Sequence, residues 1–146
     1  MATFSRNVTV NWQGSIMEGK GEVKAGTGAF TLPVTFPRRI GEPEGSTSPE
    51  ELIAAAHAAC FAMALNATVG RKGGKIDRSV VTATVSADKG DAGIKIMSSK
   101  LTVVAHGLTG IPKEQFAEVA RAAEQGCPVS NALRGSLTIE LDAKAV

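Results

Sequence analysis

Two cysteines, Cys60 and Cys127, are the residues of this 146-residue chain best suited to carry chemistry. Two thiols are too few for a disulfide scaffold, and without other clustered ligands they are too few for a four-cysteine zinc site. A thiolate is a nucleophile and a redox centre, so one cysteine could react and the other could resolve its oxidised form. Sequence separation says nothing about distance in space, so the residues alone leave open whether the two meet.

Cys60 lies in the apolar segment AAAHAACFAMAL, where its simplest interpretation is a small buried hydrophobic side chain. The helix dipole acts only within the first and last turns, so a reactive thiol in mid-helix needs a cation from elsewhere. The candidates are Arg38 and Arg39 in the preceding loop and His57, one helical turn before Cys60. Taken alone, each arginine is more simply a solvated loop charge.

Glu50 and Glu51 stand at the predicted start of the helix that carries Cys60. A rise of about 1.5 Å per residue puts them roughly 15 Å from the cysteine, too far for contact along the helix. A loop arginine could bridge this gap, because its planar guanidinium can serve a carboxylate and a thiolate together. The simpler interpretation of both glutamates is the ordinary preference of acidic residues for a helix N-terminus.

Cys127 lies at a helix break, in the segment GCPVSN, where it is either a loop or core thiol or a resolving partner on a movable segment. The second histidine, His106, ends a predicted strand and is expected to face solvent. The two histidines and two cysteines show no metal-ligand spacing, and no phosphate-binding glycine motif precedes a helix. We therefore expect neither a metal nor a cofactor.

The elements that must position these residues indicate an α+β fold in a single domain over residues 1–146. Strands are predicted over 8–12, 16–17, 22–24 and 30–36, the first of them half-buried, and a loop over 37–45. A helix capped by Ser48, with a capping box to Glu51, should run to about Val69. Because it is apolar on nearly every face, we expect it to be buried on all sides.

The second half of the chain predicts a hairpin, two helices and a closing strand. The hairpin strands are 80–88 and 94–106, the longer helix is 112–125, and the segment VSNAL after Cys127 forms a short helical turn. The last strand is predicted over 136–141, where apolar and polar residues alternate.

Composition and charge limit the partners of the chain. The net charge is +2 and aromatic residues make up 4%, which favours no nucleic-acid partner. The N-terminus carries no signal-like apolar core. The most apolar stretch, Leu52–Leu65, is about 14 residues long, short of the roughly 20 that a membrane span needs. We therefore expect a soluble cytoplasmic protein without a membrane partner.

The segments GSTSPEELIAAAHAACFAMAL at 45–65 and AEQGCPVSNALRGSLTIEL at 123–141 resemble the OsmC/Ohr family of thiol-dependent peroxidases. The HAAC motif resembles the OsmC branch. The resemblance implies an OsmC-like fold, with antiparallel sheets packed around a long buried central helix. It also implies an intertwined homodimer with two active sites at the subunit interface.

The resemblance further implies a role for four residues. Cys60 would attack the peroxide and become a sulfenic acid, and Cys127 would condense with it to a disulfide. Arg39, with Arg38 adjacent, would activate the thiolate, and Glu50 would orient that arginine. A dithiol reductant, for which the family offers lipoyl-type examples, would restore the thiols. Apolar neighbours of Cys60 favour organic hydroperoxides, with hydrogen peroxide left open.

Two other classes of function stay open from the residues. One is a redox sensor or ligand-binding module on the same fold, whose thiols oxidise without turnover. The other is a Cys–His hydrolase using Cys60 and His57, although no partner that would orient the histidine is evident.

Overall fold

The computed structural model describes all residues, 1–146, and divides them into two compact units, Met1–Leu52 and Ile53–Val146. One helix begins in the first unit and continues into the second. The mixture of helices and two three-stranded sheets confirms the α+β class. The single domain over 1–146 stays a prediction.

The first unit contains an antiparallel sheet of strands β1 (Val8–Gln13), β2 (Lys20–Ala25) and β3 (Thr31–Val34), in that order. The strand expected over 16–17 is wrong, because Ile16 and Met17 lie in the β1–β2 turn. Gly14 enters this turn with a φ of 90°, and a Cβ on Gly19 would lie 2.2 Å from the Ser15 carbonyl oxygen. The expected half-burial of β1 is also wrong, since every residue of that strand is exposed in the single chain.

The segment after β3 forms a short helix, α1 (Phe36–Ile40), where a loop was expected. The Thr35 hydroxyl accepts a hydrogen bond from the Arg38 N–H at 3.3 Å, and the Gly41 N–H closes the last turn on the Pro37 carbonyl at 3.0 Å. Proline is favourable in a first turn because its missing N–H would have no helical partner there. The structure therefore corrects the loop over 37–45, and α1 carries both loop arginines.

The long helix, α2 (Pro49–Arg71), begins where the sequence predicts and ends two residues later than expected. The Ser48 hydroxyl accepts from the Glu51 N–H at 3.1 Å, so half of the capping box forms. The Glu51 carboxylate instead accepts from the Thr47 hydroxyl at 2.8 Å. The start of α2 thus rests on local side-chain bonds, as its sequence indicates.

The expectation that α2 is buried on all sides is wrong for the single chain. One face is buried, and the opposite face is exposed at Ala55, Ala56, Ala59, Met63, Asn66 and Ala67. The length argument against a membrane span also fails. With 23 residues and a mean hydropathy of 1.7 over its most apolar 18 residues, α2 is long and apolar enough to cross a membrane, a test that the core helix of a soluble protein also passes.

The second unit contains the predicted hairpin, β4 (Arg78–Gly90) and β5 (Gly93–His106), and the closing strand β6 (Thr138–Ala145). Strands β4 and β5 are antiparallel, but β6 runs parallel to β5, which corrects the expectation of purely antiparallel sheets. The β5–β6 connection is long enough for this because it contains two helices. These are α3 (Phe116–Gln125), preceded by one turn of 3₁₀ helix, and α4 (Pro128–Leu133).

The core of the second unit lies between α2, α3 and the inner side of β5. Phe61 and Leu65 of α2 are fully buried beside Leu101 and Val103 of β5 and Phe116 of α3. Cys127 belongs to the same buried cluster, and Cys60 packs against its edge. The core therefore holds both cysteine-bearing segments in place.

Candidate active site

The structure brings the two cysteines together. Cys60 is half-buried on α2, and Cys127 is fully buried at the N-cap position of α4, with its thiol beside that of Cys60. Both are free thiols. The pairing that the sequence left open is therefore a contact in the fold, between helices that the core of the second unit packs together.

The surroundings of Cys60 within the second unit favour its protonated form. Burial raises the pKa of the Cys60 thiol, and the adjacent Cys127 thiol raises it further. The backbone N–H of Val129 acts in the opposite direction by hydrogen-bonding the thiolate. Because the net direction is upward, Cys60 needs an additional positive charge to react as a thiolate.

Arg39 and Glu50 form the ion pair that the resemblance implies. The Arg39 Nη2 donates to Glu50 Oε1 at 2.6 Å, and Nε donates to both carboxylate oxygens at 3.1 and 3.2 Å. This hydrogen bonding from Arg39 lowers the pKa of Glu50, against the opposing effect of burial. The Arg39 Nη1 group makes no protein hydrogen bond and stays available for a second acceptor.

Arg38 has a different partner. Its Nη2 lies 3.1 Å from a carboxylate oxygen of Glu44, and its Nη1 donates to the Glu44 carbonyl at 2.8 Å. Both side chains are largely exposed, so this ion pair contributes little to stability. The adjacent arginines are thus distinguished by geometry, and Arg39 is the one that binds Glu50.

The ring nitrogens of His57 hydrogen-bond two serines and not Cys60. Its ring is completely buried, with Nδ1 2.6 Å from the Ser99 hydroxyl and Nε2 2.7 Å from the Ser130 hydroxyl. Burial lowers the pKa of His57. With both ring nitrogens engaged, the histidine has no site left to take a proton from a cysteine, which argues against the Cys–His hydrolase.

The two serines that bind His57 are residues that sequence reasoning missed. The one available signal was a histidine on an apolar helix face, since a buried imidazole requires hydrogen-bond partners. Nothing in the sequence says which residues supply them. The other histidine, His106, ends β5 as predicted but is half-buried rather than open to solvent.

A cavity of about 360 Å³ opens beside Cys60 along α2. Its wall contains Met63, whereas Phe61, the neighbour of Cys60 in sequence, is fully buried in the core. The remaining lining residues are mostly small and apolar: Ala64, Ala67, Thr68, Arg71, Ala123, Gly126 and Pro128. Cys60 therefore borders a mostly apolar space within the second unit. No group of three or more His, Cys, Asp or Glu side chains could hold a metal ion.

Comparisons with known proteins match the whole chain. Residues 41–142 match the family described as OsmC-like protein. Peroxiredoxin OsmC of Escherichia coli is 38% identical over 144 residues, covering 98% of this chain and 99% of that protein. Organic hydroperoxide resistance protein OhrB of Bacillus subtilis is 29% identical over 145 residues, covering 99% and 100%.

Solved structures of related proteins share this fold. An organic hydroperoxide resistance protein OsmC from Legionella pneumophila superposes with a TM-score of 0.77 at 26% identity and 99% coverage of both chains. The crystal structure of Bacillus subtilis OhrB gives a TM-score of 0.74 at 29% identity, covering 98% of this chain and all of the other. Sequence and fold agree along nearly the full length, and the chain belongs to the OsmC family.

Proposed function

We propose that this protein is a thiol-dependent peroxidase in which Cys60 is the peroxidatic cysteine and Cys127 the resolving cysteine. The peroxidase class follows from relatives named peroxiredoxin OsmC and organic hydroperoxide resistance protein. The observation that carries the division of roles is the pair of adjacent free thiols in unequal settings. Cys60 borders an open cavity, whereas Cys127 is completely buried behind it.

The reaction then has two chemical steps on the protein. The Cys60 thiolate attacks one peroxide oxygen, the O–O bond breaks, and the departing alkoxide takes a proton to leave as an alcohol. Cys60 is then a sulfenic acid. The Cys127 sulfur attacks the Cys60 sulfur, the S–O bond breaks, and water leaves as the disulfide forms.

Arg39 is the cation in this proposal, held by Glu50. A guanidinium lowers the pKa of a nearby thiol by favouring its charged form, and it stabilises the alkoxide as the O–O bond breaks. The bidentate contact with Glu50 orients the guanidinium and leaves Nη1 without a protein hydrogen-bond partner. Arg38 is bound to Glu44 and is assigned no role.

The cavity supports organic hydroperoxides as the substrates. Mostly small, apolar side chains line it next to Cys60, and burying an organic tail there gains about 25 cal/mol per Å² of apolar surface. Hydrogen peroxide has no such surface to bury, so the same cavity gives it no comparable advantage.

Two further partners belong to the proposal. A homodimer is supported by the exposed alanine face of α2, which includes Ala59, and by Met63 and Ala67, whose side chains also line the cavity. A dithiol reductant, such as a lipoyl group, is supported by the Cys60–Cys127 disulfide, because thiol–disulfide exchange regenerates both thiols. A cytoplasmic setting would keep such a reductant reduced.

Thiol counting tests the function. The reduced protein should lose both thiols to one equivalent of cumene hydroperoxide. Cys60→Ser should lose none, and Cys127→Ser should accumulate a sulfenic acid that excess peroxide oxidises further. Survival of both thiols in the unaltered protein under excess peroxide would refute the proposal.

A redox sensor is the second candidate, because two neighbouring free thiols can be oxidised to a disulfide without turnover. Continuous peroxide consumption with dihydrolipoamide separates the two functions. A sensor stops after one oxidation event per site, whereas a peroxidase consumes peroxide until the dithiol is exhausted.

A further inference from the structure

The buried His57 joins three elements of the second unit through its two ring nitrogens. It lies on α2, Ser99 lies on β5, and Ser130 lies on α4. All three side chains are completely buried. A neutral imidazole donates at one nitrogen and accepts at the other, and each hydroxyl can take the complementary role, so every polar atom is satisfied.

The bond to Ser130 runs parallel to the contact between the two cysteines. On α2, Cys60 follows His57 by three residues, and on α4, Ser130 follows Cys127 by three residues. Residues three apart in a helix share a face. His57–Ser130 and Cys60–Cys127 are therefore neighbouring contacts between the same two segments, and a shift of α4 that breaks one displaces the other.

Apart from the bond to His57 and the hydrogen bond of the Val129 N–H to Cys60, the bonds that join α4 to another helix go to α3, as from Asn131 Nδ2 to the Gln125 carbonyl at 3.1 Å. Helix α4 has six residues, too few for a helix to be stable on its own. Of its side chains, only Ser130 is fully buried, while Val129 packs at the edge of the core. At its start, the Cys127 N–H donates to the Glu124 carbonyl at 3.1 Å, which ties α4 to α3 but not to α2.

We propose that His57, acting through Ser130, is a positioning residue that holds Cys127 in line with the Cys60 sulfenic acid. The inference rests on the proposed function. In the step concerned, the Cys127 thiol gives up its proton, its sulfur bonds to the Cys60 sulfur, and the S–O bond breaks. The departing hydroxyl takes a proton to become water. His57 touches none of the reacting atoms and acts only on the position of Cys127.

The charged groups that face His57 leave this role intact. Glu124, at the end of α3, and Arg134, just after α4, act on the histidine in opposite directions. They also bind each other, with the Arg134 Nη2 2.7 Å from Glu124 Oε1. This pair joins the end of α3 to the residue that follows α4, whereas His57 joins α4 to α2.

A matched pair of variants tests the inference. Ser130→Ala and Ser99→Ala each remove one fully buried hydroxyl from the same histidine, but only Ser130 lies on the segment of Cys127. Reduced protein is mixed with one equivalent of cumene hydroperoxide. Sulfenic acid is trapped with dimedone, and the disulfide is followed by mass spectrometry.

We expect Ser130→Ala to slow disulfide formation about tenfold or more relative to Ser99→Ala, because small displacements of a reacting group are costly. The first step, sulfenic acid formation, should slow far less than disulfide formation in Ser130→Ala, because α4 acts on that step only through the Val129 N–H and the Cys127 thiol. Ser130→Ala should also lose activity to over-oxidation of Cys60 at lower peroxide concentrations. Equal slowing in both variants would show a merely structural role, and disulfide formation at the original rate in Ser130→Ala would overturn the inference outright.

The histidine itself offers a second pair if an alanine variant fails to fold. His57→Gln places an amide near the former Nε2 and can still reach Ser130, whereas His57→Asn places one near Nδ1 and can reach only Ser99. Retained disulfide formation in the glutamine variant and slow formation in the asparagine variant support the inference, and the reverse order refutes it. If the unaltered protein forms no sulfenic acid, the proposed function fails instead, which is a separate result.

Discussion

Arg38 and Arg39 are neighbours in sequence, yet their guanidinium groups have different chemistry available to them. Arg39 is bound by a carboxylate whose side chain is 14% exposed, and Arg38 by one that is 67% exposed. An ordered, partly desolvated guanidinium exerts a stronger field than one on a mobile surface side chain. This difference is the reason for proposing Arg39, rather than Arg38, as the activating cation.

Replacing these arginines separately gives a residue-scale prediction. Arg39→Ala should slow the oxidation of Cys60 by cumene hydroperoxide about 100-fold, because both thiolate and leaving alkoxide lose their cation. Its Cys60 pKa, followed by thiolate absorbance, should rise. Arg38→Ala is the matched control and should react at nearly the original rate. A comparable loss in both variants would move the activating role away from Arg39.

Glu50 gives a prediction that involves pH. Its pKa is lowered in the folded protein, chiefly by the hydrogen bond from Arg39, from an ordinary value of 4.5. It therefore contributes stability that is present above pH 4.5 and is lost as pH falls through the lowered pKa. Glu50→Gln should flatten the loss of stability below pH 4.5 in urea unfolding. The variant should also oxidise Cys60 about tenfold more slowly, since Arg39 loses its orientation.

Glu44→Gln is the control for this change, because it removes the carboxylate of the other ion pair. Its acid unfolding should follow that of the unaltered protein. If Glu50→Gln leaves the loss of stability below pH 4.5 unchanged, the Arg39–Glu50 pair does not have the stabilising role assigned to it.

At the scale of elements, His57 makes the packing of α2 against β5 and α4 sensitive to pH. Burial lowers the pKa of His57 from an ordinary value of 6.5. Between the two pKa values, the histidine is therefore protonated in the unfolded chain and neutral in the folded chain. Stability is therefore full above pH 6.5 and declines as pH falls from there towards the lowered pKa. Urea midpoints measured between pH 7.5 and 5 should show this decline, well above the range in which Glu50 titrates.

His57→Gln should abolish that part of the pH dependence while lowering stability at neutral pH, because glutamine does not titrate. His106→Gln serves as the matched control and should keep the decline. If the urea midpoint of the unaltered protein is flat between pH 7.5 and 5, His57 does not carry this effect.

The elements differ in how far local sequence determines them. The start of α2 is predictable because Ser48, Pro49 and Glu51 are consecutive or nearly so, and their bonds are local. Helix α1 is hard to predict because its proline and two arginines are typical of a loop. Its one local signal is Thr35, which caps the helix. The partners of His57 are 42 and 73 residues away, so no local pattern can name them.

The direction of β6, parallel to β5, is also not predictable from local sequence. The sequence shows an alternating strand, but its direction depends on how α3 and α4 carry the chain back across the sheet. The chemistry was easier to predict than this topology. Cys60 and Cys127 are the only thiols, and each lies in a motif that resembles one family. Their actual contact, and the choice of Arg39 over Arg38, needed the fold.

For the molecule as a whole, the main feature is apolar surface that a single chain leaves exposed. Only 28% of the most apolar 18 residues of α2 are buried, and Met63 on that helix is 73% exposed. Val8 and Val10 of β1 are also more than half exposed. Exposed apolar faces mark interaction surfaces. The small side chains on α2 would let a second helix approach closely, which is the basis for proposing a homodimer.

A charge placed on the exposed face of α2 tests this proposal. Ala59→Glu should shift the protein from dimer to monomer in light scattering at micromolar concentration, because a carboxylate in an apolar interface loses its hydration without a partner. Ala122→Glu makes the same change at an exposed position of α3 and should stay dimeric. Peroxidase activity should fall with dissociation, since the cavity beside Cys60 shares Met63 and Ala67 with the proposed interface. A native protein that is monomeric at these concentrations, or an Ala59→Glu variant that remains dimeric, would exclude α2 as the centre of the interface.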